Sequence, residues 1–185
     1  MKRILYSRPI YWMLYALCRI FYSGKYLRGY YFTEKRMGFV WALKGIPKRI
    51  STGIPWPIGK AVTITKRKNI QFDPDSLNVF QSPGCYFQAN DGKINIGKNV
   101  HIAPNVGIVT TNHDLNDLKR HTEGKDVIIG ENCWIGMNSV ILPGVVLAPH
   151  TVVGAGSVVT KTVSDGDCII AGSPARMIRK ISEHL

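Results

Sequence analysis

Branched aliphatic residues return at every sixth position through much of this chain: Ile129, Ile135, Ile141, Leu147, Val153 and Val159 form one unbroken run. Ile96, Ile102 and Ile108 keep the same spacing upstream, and Ile58, Ile64 and Ile70 form a weaker third run. Four positions after these aliphatic residues stands a second set: Cys133, Ser139, Val145, Thr151, Ser157 and Val163, preceded by Val100 and Val106. Such a period matches neither the roughly 3.6 residues of a helical turn nor the strict alternation of a half-buried strand. The repeats are dense in Gly, Val, Ile, Thr and Asn, and Pro104, Pro143 and Pro149 would break helical turns. The pattern predicts an all-β solenoid of short strands and tight turns. In it each hexad is one flat face, the branched residue fills the interior and the small residue lets the chain turn.

The register breaks between Ile108 and Ile129, where a polar excursion runs over residues 112–125. A long polar loop inside a strict solenoid is usually functional. Three regions result: an N-terminal helical segment over 1–50, the coil over 51–165 and a C-terminal extension over 166–185. The first 45 residues, rich in Tyr, Trp, Phe, Lys and Arg, read as one or two helices that cap the coil or pack on a partner. Residues 175–183 mix basic and apolar side chains as a short terminal helix would.

Charge changes this picture at one end. The chain carries 24 basic and 12 acidic side chains in 185 residues. Eleven of the basic ones but only one acidic one, Glu34, lie in residues 1–50. So basic a segment attracts anionic lipid, acidic polysaccharide, phosphorylated ligands or nucleic acid, and charge alone does not choose among them. No nucleic-acid-binding motif accompanies it, and nucleic acid is not expected as a partner. The stretch from Ile10 to Tyr22 is too short and too charged to span a bilayer, but its aromatic and basic residues suit a membrane interface. Lys2 and Arg3 begin what resembles a signal peptide, yet Arg8 and Arg19 interrupt it and no small-residue cleavage site follows. Cys18, Cys85, Cys133 and Cys168 show no paired spacing, so reduced thiols and a cytoplasmic protein, with membrane association left open, are expected.

His113 is the leading chemical candidate, because it stands where the solenoid gives way to the excursion and a neutral imidazole there can serve as a general base. Asp114 or Glu123 is a candidate to orient its second ring nitrogen. His101, His121, His150 and His184 read as surface groups. The spacing of His101, His113 and His121 argues against a three-histidine zinc site, and no metal is expected.

Several motifs together resemble the hexapeptide-repeat acyltransferases: Asn112-His113, Trp134-Ile135-Gly136, the run from Ile141 to Val145, the run from Gly154 to Lys161, and the run from Ala171 to Arg176. Serine, galactoside and maltose acetyltransferases belong to that group, as do polysaccharide-modifying enzymes. The likeness is close over residues 90–180 and loose over 50–90. It implies a left-handed parallel β-helix and a homotrimer with active sites between subunits. It also implies acetyl transfer from acetyl-CoA to a sugar hydroxyl, with Asn112 and His113 catalytic. An amino sugar or small amine as acceptor is the alternative. By the same resemblance the cofactor would lie near Trp134, Met137, Ala155, Gly156, Thr160 and Lys161, with Arg176 and Arg179 near its phosphates. The glycines read equally well as coil turns, and Trp134 equally well as a brace for the excursion. From residue 80 to 91 the chain departs from the sugar-acetylating relatives, leaving Gln81, Gln88, Asn90 and Asp91 as acceptor candidates.

Overall fold

The computed structural model describes residues 8–27 and 38–181. Glu34, His184 and the outer parts of both terminal expectations lie outside these residues. The chain divides into two compact units that meet after Lys60.

In the first unit, α1 (Arg8–Phe21) is followed by a 3-10 turn (Gly24–Leu27), α2 (Gly38–Lys44) and α3 (Ile46–Thr52). Tyr11 of α1 meets Phe39 of α2 edge to face at 5.2 Å, and the Tyr22 hydroxyl donates to the Ala42 carbonyl at 2.8 Å. Arg49 closes the cluster through a hydrogen bond from Nε to the Phe21 carbonyl. The expected N-terminal helices are therefore present. Ile58 is not part of the coil: it lies in no strand and is buried within this first unit.

The second unit is the solenoid. Its strands are β1 (Thr63–Ile64), β2 (Ile70–Phe72), β3 (Tyr86–Gln88), β4 (Ile94–Ile96), β5 (His101–Ile102), β6 (Gly107–Val109) and β7 (Val127–Ile129). They continue as β8 (Trp134–Ile135), β9 (Val140–Ile141), β10 (Val146–Leu147), β11 (Thr151–Val153), β12 (Val158–Val159), β13 (Cys168–Gly172) and β14 (Ala175–Lys180). They stack into three sheets. Face A holds β1, β3, β6, β9 and β12, face B holds β2, β4, β7 and β10, and face C holds β5, β8, β11, β13 and β14. The chain visits the faces in the order A, B, C, so like strands pair in parallel with the coils above and below. Parallel pairs such as Trp134 with Val152 and Val140 with Val158 show that one regular coil is three hexads.

The hexad residues fill the interior as the spacing requires. Ile129, Ile135, Ile141, Leu147, Val153 and Val159 are all buried, each worth about 1.5–3 kcal/mol in transfer from water. The small slots explain how polar atoms survive there. The Ser139 and Ser157 hydroxyls donate to the Gly154 carbonyl, and Thr151 donates to the Ala148 carbonyl, so buried hydroxyls tie off turn backbone. At the corners the chain enters the left-handed region at Asn99, Asn105, Asn132, Asn138, His150 and Asp167. Asn and Asp tolerate this conformation because their short side chains bond locally.

One expectation fails. Residues 175–180 form not a helix but β14, antiparallel to β13. The final coil leaves the edge of β13 open on face C, and a chain reversing at Ser173-Pro174 can satisfy that edge, which a helix would leave unpaired.

All four cysteines are buried and unpaired. Burial pushes the Cys18 thiol up to about 11 and raises Cys85 and Cys133 as well. A raised pKa lowers the thiolate fraction at any pH below it. At pH 8 a disulfide reagent is expected to leave the native protein unlabelled over minutes and to titrate four thiols after guanidinium unfolding. Fast reaction of the native protein would contradict the packing.

Candidate active site

The excursion leaves the prism at the corner between faces A and B. Its stem is a short antiparallel ribbon: His113 and His121 form a bridge, Asp114 N–H donates to the Arg120 carbonyl, and Thr122 N–H donates to the Asn112 carbonyl at 2.8 Å. Two Asx turns close the tip, where the Asp114 and Asp117 carboxylates accept from the N–H groups of Asn116 and Lys119. The return is fastened by Lys125 N–H to the Thr110 carbonyl. It also packs tightly on the preceding coil: a Cβ on Gly124 would stand 2.4 Å from the Asp91 carbonyl carbon and 2.5 Å from Gly92 N.

Within this loop His113 is exposed, and its Nδ1 lies 2.8 Å from the Leu118 carbonyl oxygen. A carbonyl can only accept, so Nδ1 carries the proton and Nε2 keeps a free lone pair. The His121 ring lies against that of His113 with centroids 4.5 Å apart and planes at 34°, limiting its rotation. The partner of the second nitrogen is thus neither Asp114, which is engaged with Asn116, nor Glu123. A backbone carbonyl five residues downstream has no side-chain signature, so no sequence signal could have found it. His121 was readable only as a surface residue, and it is exposed.

Gln88 has a structural position. It is buried, its Oε1 accepts from the N–H groups of Thr110 and Thr111, and its Nε2 donates to the Thr111 carbonyl. It therefore clamps the backbone that leads into Asn112 and His113. In Gln88→Leu these buried groups lose partners, at a cost of about 1–3 kcal/mol. The variant is expected to melt earlier and to turn over more slowly, with KM for the donor little changed; unchanged melting would contradict the clamp.

The remaining candidates fall on separate parts of the prism. Asn90 and Asp91 sit at the A–B corner one coil before the excursion, and Thr160 and Lys161 sit at the same corner further along. Gln81, Met137, Ala155 and Gly156 lie at the C–A corner instead. Trp134 is 56% exposed on face C, which lies opposite the A–B corner, so within one chain it does not brace the excursion. Lys161 and Arg176 meet in one cleft of about 410 Å³ that Thr162, Ser164, Asp165 and Met177 help to line. Arg179 lies further along the same strand as Arg176. The two glycines differ in kind. A Cβ on Gly154 would clash with that of Ala171, whereas Gly156, at φ +70°, faces open space. One is a packing requirement, and the other combines a turn with an unobstructed coil edge.

Residues 126–161 match the bacterial transferase hexapeptide family, described as six repeats. The galactoside O-acetyltransferase of Escherichia coli (strain K12) is 41% identical over 97 residues, covering 51% of this chain and 47% of that protein. That of Lactococcus lactis is 37% identical over 114 residues, covering 57% of this chain and 55% of the relative. The chain spans about half the length of these curated relatives. A solved galactoside acetyltransferase in complex with coenzyme A is 28% identical, with a TM-score of 0.50 over 85% of this chain and 81% of that one. A hexapeptide-repeat acetyltransferase of Vibrio cholerae, solved with acetyl-CoA, shares the fold at 22% identity and a TM-score of 0.56, over 95% of this chain and 91% of that one. The coil shares the fold of these hexapeptide-repeat acetyltransferases, a left-handed parallel β-helix.

Proposed function

We propose that this protein is a cytoplasmic O-acetyltransferase that moves an acetyl group from acetyl-CoA to a hydroxyl of a sugar or polysaccharide precursor. The observation that carries the reading is the hydrogen bond from His113 Nδ1 to the Leu118 carbonyl, which leaves Nε2 as an exposed base. Acetyl-CoA supplies the acyl carbon already activated as a thioester. His113 Nε2 takes the proton of the acceptor hydroxyl as its oxygen bonds to that carbon. When the C–S bond breaks, the imidazolium returns the proton to the departing thiolate, so no enzyme nucleophile is needed. Asn112 is the proposed donor toward the developing oxyanion.

Lys161 and Arg176, sharing one cleft, suit the phosphates of the donor, with Arg179 beyond them. Met137, Ala155 and Gly156, together with Trp134 on face C, suit its pantetheine arm. They sit away from the corner that carries His113, and Thr160 and Lys161 are further along that corner. This separation supports a homotrimer in which the loop of one subunit faces the coil of the next. Asn90 and Asp91, beside the root of the loop, are the proposed acceptor contacts, with Gln81 contributing from the other corner.

The test is free-thiol release from acetyl-CoA over a panel of mono- and oligosaccharides, amino sugars and small amines, with the product located by mass. Release with a hydroxyl acceptor is the expected result. Release with amines alone would replace O-transfer by N-transfer, and none with any acceptor would refute the reading.

A further inference from the structure

The exposed face of α1 is apolar. Trp12 is 63% exposed, Met13 60%, Leu17 41% and Ile20 72%, and Ala16 between them is exposed too. Positions 12, 13, 16, 17 and 20 are neighbours on one side of a helix, so they form a continuous apolar stripe without an interrupting charge. The opposite side packs inward through Tyr11 and the buried Cys18. This is the reverse of a solvent-facing helix surface, where charged residues are expected.

The stripe belongs to the unit that carries nearly all of the net charge. Residues 1–60 contain twelve basic side chains and one acidic one, which gives +11 of the chain's +12. Arg19, Lys25 and Lys44 are exposed on described elements of that unit. No helix among the described residues is long and apolar enough to cross a bilayer.

We propose that α1 docks this protein on the surface of an anionic lipid bilayer. Trp12, Met13, Leu17 and Ile20 enter the headgroup and acyl boundary, and the unit's net positive charge draws it to acidic headgroups. Trp12 has an amphipathic ring suited to that depth. Two rival occupants fit less well. A second copy docking through this face would bring two +11 units together, which repel. A nucleic acid would engage the cations but has no use for an uncharged apolar stripe. The proposal is independent of the acetyl-transfer reading, because it concerns a different unit and a different readout.

The test uses the full chain and flotation with vesicles of phosphatidylcholine containing about 30% phosphatidylserine, against phosphatidylcholine alone. Expected is binding to the anionic vesicles at low salt that falls by about tenfold or more in ~0.5 M salt. A similar fall is expected for Trp12→Glu/Ile20→Glu, with sedimentation and thermal melting as in the wild type. Brominated acyl chains supply a readout that does not depend on a disruptive variant: they should quench tryptophan emission in the wild type, and Trp12→Phe should lose most of that quenching while still binding. Three results would overturn the proposal: no binding to anionic vesicles at low salt, equal binding by the double glutamate variant, or a double variant that dissociates an oligomer while vesicle binding persists.

Discussion

Aspartate in place of Ile135 is expected to leave the coil unfolded at neutral pH. Ile135 is fully buried in β8, in register with Ile102 of the coil before and with Val153 of the coil after. Each coil of a solenoid buries its apolar interior only against its neighbours, so a defect in a middle coil is felt on both sides. An ionised carboxylate there would stand buried between the aliphatic side chains of Ile102 and Val153, and the cost of such a buried, unpaired charge exceeds the roughly 4–5 kcal/mol that marks severe substitutions. Domains of this kind are stable by about 5–15 kcal/mol in all. Ile135→Ala supplies the graded control: it removes volume without charge and is expected to cost about 2–5 kcal/mol. Circular dichroism with urea titration distinguishes the cases. A cooperative native baseline for the aspartate variant would show that the interior at this level admits water.

The hexad period carried most of the architecture because every repeat meets the same geometric demand. An aliphatic side chain at one position and a small one four later are both needed to close a triangular coil, so the pattern recurs wherever the coil does. The same spacing also held the corner assignments in latent form. Trp134 and Val152 are register partners one coil apart, and counting in coils places Met137 and Ala155 at one corner and Gly144 and Thr162 at another. That count stops at the excursion, whose length is not a multiple of the hexad, so the relation of His113 to the other candidates was not legible.

Other failures share a cause: the deciding group is backbone, or is set by what lies beside it. Leu118 contributes a carbonyl, which any residue could supply. Gln88 was readable as a polar candidate for acceptor contact, but its amide turns inward to the N–H groups of Thr110 and Thr111. Residues 175–180 pair with β13 because the last coil offers an open edge, a condition outside their own sequence. Ile58 kept the period by coincidence and is buried in the first unit.

His113 is the proposed base. Its Nδ1 proton is committed to Leu118 and its ring is backed by His121, which in the neutral ring leaves the lone pair on Nε2. Removing the imidazole takes away the proposed proton acceptor but none of the buried packing, since His113 is exposed. The loss should therefore fall on turnover and not on folding or donor binding. General-base contributions are typically about 10²–10⁴-fold. The direct measurement is thiol release at saturating acetyl-CoA with the acceptor found by the panel, wild type against His113→Ala, with melting temperatures recorded alongside. A fall in kcat of about 10² or more, with melting and KM for acetyl-CoA little changed, is the predicted result. Equal turnover by the two proteins would contradict it, and would remove His113 from the chemistry.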